Sequence, residues 1–129
     1  SDTVSVSVER CDVSDLAALN TVFSKMIESG KQIKGIVFSV FFDNKGSMIS
    51  ATTPELLKQF FDAKVTSAWN LHKVSKLCLS LEHFVVFSSM NGLLGSVGGV
   101  GHASSNVALD RLVELRLREG LPAVALQLG

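Results

Sequence analysis

Ser88 and Ser89 close the apolar run Phe84-Val85-Val86-Phe87, and a glycine-rich stretch separates them from His102-Ala103-Ser104-Ser105-Asn106. Hydroxyl and imidazole groups in one locality can serve as nucleophile, acid or base. The run reads as a buried strand delivering serines to a loop. Its carboxyl end opens into a polar crevice, where open α/β sheets bind their ligands. Function is therefore expected near Ser89. Ser88 fits a packing or local capping role, since no His-Asp pair is identifiable around it.

Other chemistries are poorly supplied. His72 falls in a long helical segment and His83 at a strand start, neither with a second ligand at i+4, so no metal site is expected. Cys11 and Cys78 have neither metal-ligand spacing nor a disulfide framework, and a reduced, cytoplasmic protein is expected. Gly92, Gly95, Gly98, Gly99 and Gly101 follow a strand without the Gly-x-Gly-x-x-Gly spacing of a phosphate-binding turn, and read as a substrate-side loop. Trp69 reads as core or interface, and Asp110, Arg111 and Glu114 as a solvated helix face.

The elements that must position these groups alternate. Val4, Val6 and Val8 interleave with polar residues over Val4 to Glu9, predicting a strand. Ser14 is placed to cap a helix with Leu16, Leu19, Val22, Phe23, Met26 and Ile27 on one face, ended by Gly30. Gly35 to Phe42 is nearly continuous apolar sequence, as in a parallel strand covered on both faces, and Asp43-Asn44-Lys45-Gly46 breaks it. Thr53-Pro54 starts a helix predicted to run to about Leu77, ahead of a strand at His83 to Ser88. A last helix ends near Gly120-Leu121-Pro122, and Ala123 to Leu128 supplies the final strand. The pattern predicts α/β architecture with a parallel sheet and right-handed crossovers, in one domain over residues 1–129.

With 129 residues, 47% of them apolar, the chain can bury a core. Twelve basic residues balance twelve acidic ones, so no basic face is expected for nucleic acid. No apolar run has transmembrane length, and no membrane partner is expected.

Phe84 to Ser89, together with Cys11-Asp12-Val13-Ser14-Asp15, Gly35-Ile36-Val37, Lys64-Val65, Asn70-Leu71, Asn106 and the ending Gly120-Leu121-Pro122-Ala123, resembles the ketoreductase domains of type I polyketide synthases and animal-type fatty acid synthases. These belong to the short-chain dehydrogenase/reductase superfamily. The resemblance implies a three-layer Rossmann-like fold of strand order 3-2-1-4-5-6. It also implies NADPH as cofactor, a carrier-bound β-ketoacyl thioester as substrate, and the other synthase domains and their acyl carrier domain as partners.

Residue by residue, the resemblance gives Ser89 the place of the ketone-polarising serine, Lys64 that of the lysine and Asn106 that of the asparagine that support the proton path. Asp12 matches a residue beside the cofactor adenine; read alone, it is equally a turn or helix-start carboxylate. The proton-donating tyrosine is replaced by His102, and the chain contains no tyrosine. Phe38-Ser39-Val40-Phe41 stands where the family carries histidine-alanine-alanine-glycine, and the two phenylalanines are expected to fill space used by the nicotinamide ribose.

The chain is expected to hold the equivalents of strands 3 to 6 without the first βαβ unit. Strand 4 would then expose an apolar edge. Either Val4 to Glu9 moves in beside Gly35 to Phe42, or two chains join through that edge as a homodimer. The expected function is a segment of a β-ketoreductase region, inactive by itself. The alternative is a non-catalytic structural or docking domain derived from one.

Overall fold

Three parallel strands, β1 (Gly35–Phe38), β2 (His83–Ser89) and β3 (Val124–Leu128), form one sheet in the order β1-β2-β3. The computed structural model describes residues 3–42 and 48–129, so the expected break at Asp43-Asn44-Lys45-Gly46 lies outside the described residues. Val37, Val85 and Val124 align across the sheet, as do Phe87 and Leu126. Both crossovers advance in the same direction, which with right-handed connections puts their helices on one face. Burial follows: Ile36, Phe38, Phe84 and Val86 face the helices and are buried, while Val37, Val124, Leu126 and Leu128 on the other face are exposed.

Four helical stretches build that layer and the rim above it. α1 (Leu16–Glu28) inserts Leu19 and Phe23 into the core and is capped by Asp15, whose carboxylate accepts from the N–H groups of Ala17 and Ala18; the expected cap, Ser14, lies one residue earlier. Gly30, at φ 78°, ends it as expected, with the Lys31 N–H bonded back to the Met26 carbonyl. α5 (Val100–Arg118) buries Leu109, Leu112 and Val113 and ends at Gly120, φ 73°, in the same way. A four-residue helix, α4 (Asn91–Leu94), follows β2.

The single helix expected from Thr53-Pro54 to Leu77 is three pieces. Thr53 caps α2 (Pro54–Phe60) with its hydroxyl accepting from Leu56 N–H at 3.2 Å; a π-helical turn (Phe61–Thr66) and α3 (Ser67–Ser75) complete it. The wide turn carries Lys64 near its centre. Such turns recur at functional sites because one extra residue re-aims the side chains around it.

Two strand expectations are corrected. Val4 to Glu9 joins no ladder and does not move in beside β1: Val4, Val6 and Val8 are at least 82% exposed. Its alternation gave it strand character, but a strand is stable only with a paired neighbour. Instead Ser7 and Glu9 share a shallow pocket with Val22, Lys25 and Met26 of α1. The strand expected over Gly35 to Phe42 pairs only as far as Phe38, opposite Val86; β2 runs on to Ser89, so it is the chain after Phe38 that leaves the ladder. The three observed strands thus correspond to the expected strands 4, 5 and 6.

Candidate active site

Beyond Phe38, the chain leaves the sheet and forms one wall of a cleft at the carboxyl ends of the strands. Ser39, Val40 and Phe41 line this wall, Ser88 and Ser89 the floor, Lys64 the side of the π-turn, and His102 and Asn106 the first turns of α5. The cleft encloses about 410 Å³. All four groups assigned by resemblance to the ketone chemistry, Ser89, Lys64, His102 and Asn106, therefore meet in one place.

Each is held by identifiable contacts. Lys64 Nζ donates to Asn106 Oδ1 at 3.3 Å, and Asn106 Nδ2 donates to the His102 carbonyl at 2.8 Å, one helical turn back. Ser89 Oγ accepts from the Asn91 N–H at 3.2 Å, which ties the serine to the start of α4. Ser88 is buried and donates to the Asn106 carbonyl at 3.5 Å, so it acts locally, as its lack of a His-Asp pair indicated.

Electrostatics separate the two titratable groups from ordinary surface residues. Burial pushes the Lys64 ammonium below its usual range, since its charge has lost solvent. His102 is held below the usual histidine value, first by burial and then by the Lys64 charge. Its imidazole is therefore neutral at neutral pH. Neutral imidazole can donate one hydrogen bond to a carbonyl, but it gives up that proton far less readily than imidazolium does.

Asp12 lies outside this cleft. It lines a second hollow of about 450 Å³ with Ser14, Phe42, Gln59 and Asp62, and Val40 borders both spaces. Its carboxylate accepts from the Ser14 hydroxyl at 2.7 Å and the Ser14 N–H at 2.9 Å, and these bonds lower its pKa. A turn-stabilising role is thus realised, and it leaves the carboxylate at the edge of an open space.

The two phenylalanines expected to fill the cofactor side differ. Phe38 is buried in the core and does not line the cleft. Phe41 lines it but is 82% exposed, so it borders the space without plugging it. The glycine-rich stretch is loop-like only at 95–99, since Val100 and Gly101 already belong to α5.

Sequence reasoning gave no role to Asn70, whose amide donates to the Val13 and Ser14 carbonyls at 3.0 and 2.9 Å and pins the turn after Asp12 to α3. It also missed a buried cluster behind the site. Arg116 lies 3.7 Å over the Phe84 ring and donates to Ser75 Oγ at 2.8 Å and to the Pro122 carbonyl at 3.2 Å, with His72 Nδ1 at 3.0 Å. A fully buried arginine in a helix's last turn gives no periodic signal that distinguishes it from a solvated one. Among the described residues no group of three or more His, Cys, Asp or Glu side chains is placed to hold a metal, and no helix is long and apolar enough to cross a membrane.

Comparison with known proteins settles the family. The family model described as KR domain matches residues 1–129. The chain belongs to the KR domain family. It is 37% identical over 126 residues to the polyketide synthase GfsE of Streptomyces halstedii, covering 98% of this chain and 3% of that one. It is 33% identical over 128 residues to the naringenin synthase of Pestalotiopsis fici, covering 99% of this chain and 5% of that one.

Solved ketoreductases share the fold. An A1-type ketoreductase superposes with a TM-score of 0.88 at 31% identity over 96% of this chain and 26% of its own. The ketoreductase PlmKR1 of the first module of phoslactomycin biosynthesis in Streptomyces sp. HK803 does so with 0.81 at 31% identity over 90% and 26%. This KR chain thus spans about a quarter of those ketoreductases and a few per cent of the synthases it matches.

Proposed function

We propose that this chain supplies the ketone-binding side of an NADPH-dependent β-ketoreductase region in a type I polyketide synthase, and that residues 1–129 alone do not turn over. The observation that carries this reading is the convergence of Ser89, Lys64, Asn106 and His102 on one cleft, with Lys64 and Asn106 hydrogen-bonded in its wall. The substrate class is a β-ketoacyl thioester brought by the acyl carrier domain of the same synthase.

The residues present suit the cofactor's ribose and ring. A desolvated ammonium and an amide offer hydrogen-bonding groups to hydroxyls, and Phe41 leaves the cleft open. Lys64 and Asn106 would hold that end, and NADPH when bound supplies hydride. Asp12 would meet the adenine end across Val40. On the substrate side, Ser89 Oγ and the His102 imidazole N–H are the donors available to polarise a ketone oxygen. No Gly-x-Gly-x-x-Gly turn occurs within the chain to bind the pyrophosphate, which supports inactivity of this stretch by itself.

A second reading, a reductase fold kept for architecture or docking, is favoured by one observation. His102 stands in the acid's place yet is held neutral by burial and by Lys64. Calorimetric titration of NADPH into this chain and into the longer synthase region tests both readings, with reduction of a β-ketoacyl thioester assayed for the parent and for His102→Tyr. Binding by the longer region with reduction gained or raised in His102→Tyr supports the reductase. Absence of binding by the longer region in both forms sinks it in favour of the scaffold, and micromolar binding by residues 1–129 alone would remove the claim that this stretch is incomplete.

A further inference from the structure

Gly101 is buried in the first turn of α5, one residue before His102, and the Phe60 ring occupies the place its side chain would take. A Cβ built on Gly101 falls 2.6 Å from Phe60 Cε2 and 2.8 Å from Cγ, well inside contact distance. The neighbour is a buried aromatic ring, which cannot swing away as a surface side chain would. Phe60 ends α2, four residues before Lys64, and its ring meets Phe42 edge-on with centroids 4.9 Å apart. Phe42 directly follows Phe41 of the cleft wall.

One ring is therefore the common reference for three walls: the strand exit through Phe42, the π-turn through the chain to Lys64, and α5 through Gly101. We propose that Phe60 and Gly101 are a size-matched positioning pair that sets the approach of His102 and Asn106 to Lys64. Neither residue lines the cleft. They act through the groups they place. The observable consequence is the environment of His102, whose charge is opposed by burial and by the nearby Lys64 ammonium. Forcing α5 outward relaxes both causes and moves the His102 titration toward ordinary histidine. The proposal rests on reading the Ser89–His102 cleft as the site, and not on its binding NADPH.

The test is the pH profile of His102 carbethoxylation by diethyl pyrocarbonate, read by peptide mass spectrometry on the full protein and normalised to its high-pH plateau, which separates titration from access. Gly101→Ala is expected to move the profile to higher pH and to lower normalised reactivity at pH 6 by about twofold or more. Phe60→Leu/Gly101→Ala, which returns room for the methyl, brings the profile back. Val74→Ala, a cavity in the same core away from the pair, leaves it in place. A Gly101→Ala profile that superimposes on the parent overturns the proposal, as does a double variant that stays shifted or a Val74→Ala variant that shifts equally. Should Gly101→Ala not fold, Phe60→Leu is compared with the double variant; a tolerated methyl in that background supports the pair and an equal loss of fold refutes it. No arm uses NADPH turnover, so failure of the reductase reading is seen separately.

Discussion

Lys64 Nζ meets Asn106 Oδ1 at 3.3 Å, and both residues are buried, so an ammonium in the cleft wall rests on an uncharged amide. An amide recovers only part of the solvation that the charge has lost. Because the folded state lowers the Lys64 pKa, the unfolded chain binds more protons in the alkaline range, and Lys64 costs stability while it is charged. That cost lifts as pH rises toward the ordinary lysine value of 10.5. Lys64→Met is therefore expected to be at least as stable as the parent at pH 7 and to lose part of the alkaline rise. Urea unfolding at pH 7 and pH 9.5 checks this, and a variant destabilised at both would contradict it.

Asn106 is expected to be the costlier residue to remove. Its amide serves Lys64 and the His102 carbonyl together, and Asn106→Leu strands the ammonium without its acceptor. A loss of about 2 kcal/mol is expected, of the size seen when a buried donor is left unsatisfied. Combining it with Lys64→Met should recover a good part of that loss, since the stranded charge is then gone; a double-mutant cycle in urea measures the coupling.

Much of this site was legible in advance because its parts lie in sequence-local patterns. The run from Phe84 to Ser89 reads as a strand by composition alone, and Asn106 lies one helical turn after His102. Gly30 and Gly120 stand where positive φ ends a helix. What the sequence hid needed three dimensions. Strand character at Val4 to Glu9 does not say whether a neighbouring strand is present, and the apolar run after Phe38 does not say that the chain leaves the sheet while its partner β2 runs on to Ser89. The π-turn around Lys64 has the same apolar spacing as an ordinary helix, within the tolerance of pattern reading. Phe38 and Phe41 looked alike beside the cofactor space, yet the pleat sends Phe38 into the core while Phe41 lies beyond the paired strand.

Arg116 and His72 form a second buried pair, with Arg116 Nη1 3.0 Å from His72 Nδ1. The arginine can only donate, so Nδ1 must accept and His72 is neutral with its proton on Nε2, facing Glu119 Oε2 at 3.9 Å. Burial lowers the His72 pKa most, followed by the charges of Lys76 and Arg116; Glu119 acts against them and Lys73 adds slightly. The folded state thus binds fewer protons than the unfolded chain below the ordinary value of 6.5, and stability falls as pH drops through that range. His72→Asn, which keeps an acceptor without a titrating proton, is expected to flatten the loss between pH 7.5 and 5.5. The slope should not vanish, because His102 is held down as well. Urea midpoints across that range report it.

Removing the arginine should cost more than removing the histidine's charge. Arg116→Met keeps the apolar stem over Phe84 but abandons Ser75 Oγ, His72 Nδ1 and the Pro122 carbonyl at once. A loss of about 3 kcal/mol is expected, with a correspondingly lower thermal midpoint. Arg116→Lys should recover little, since an ammonium cannot span the same acceptors in one plane. Equal stability of Arg116→Lys and the parent would show that charge, not the planar fork, holds α5 to α3.

The face of the sheet that carries Val37 and Val124 makes the last prediction. Val37, Val124, Leu126 and Leu128 are each at least 41% exposed there, and Val37 and Val124 flank Val85 in one cross-strand row. Burying apolar area of this kind is worth roughly 25 cal/mol per Å², enough to favour association when nothing else covers it. Residues 1–129 in isolation are expected to self-associate in sedimentation velocity at tens of micromolar. Association through the face should be abolished by Val37→Lys/Leu126→Lys, with far-UV circular dichroism unchanged. Association that survives this double change but yields to charge placed along the outer edge of β1 would move the contact to the strand edge. A monomer in both forms would show that the exposed row is too small to hold two copies together.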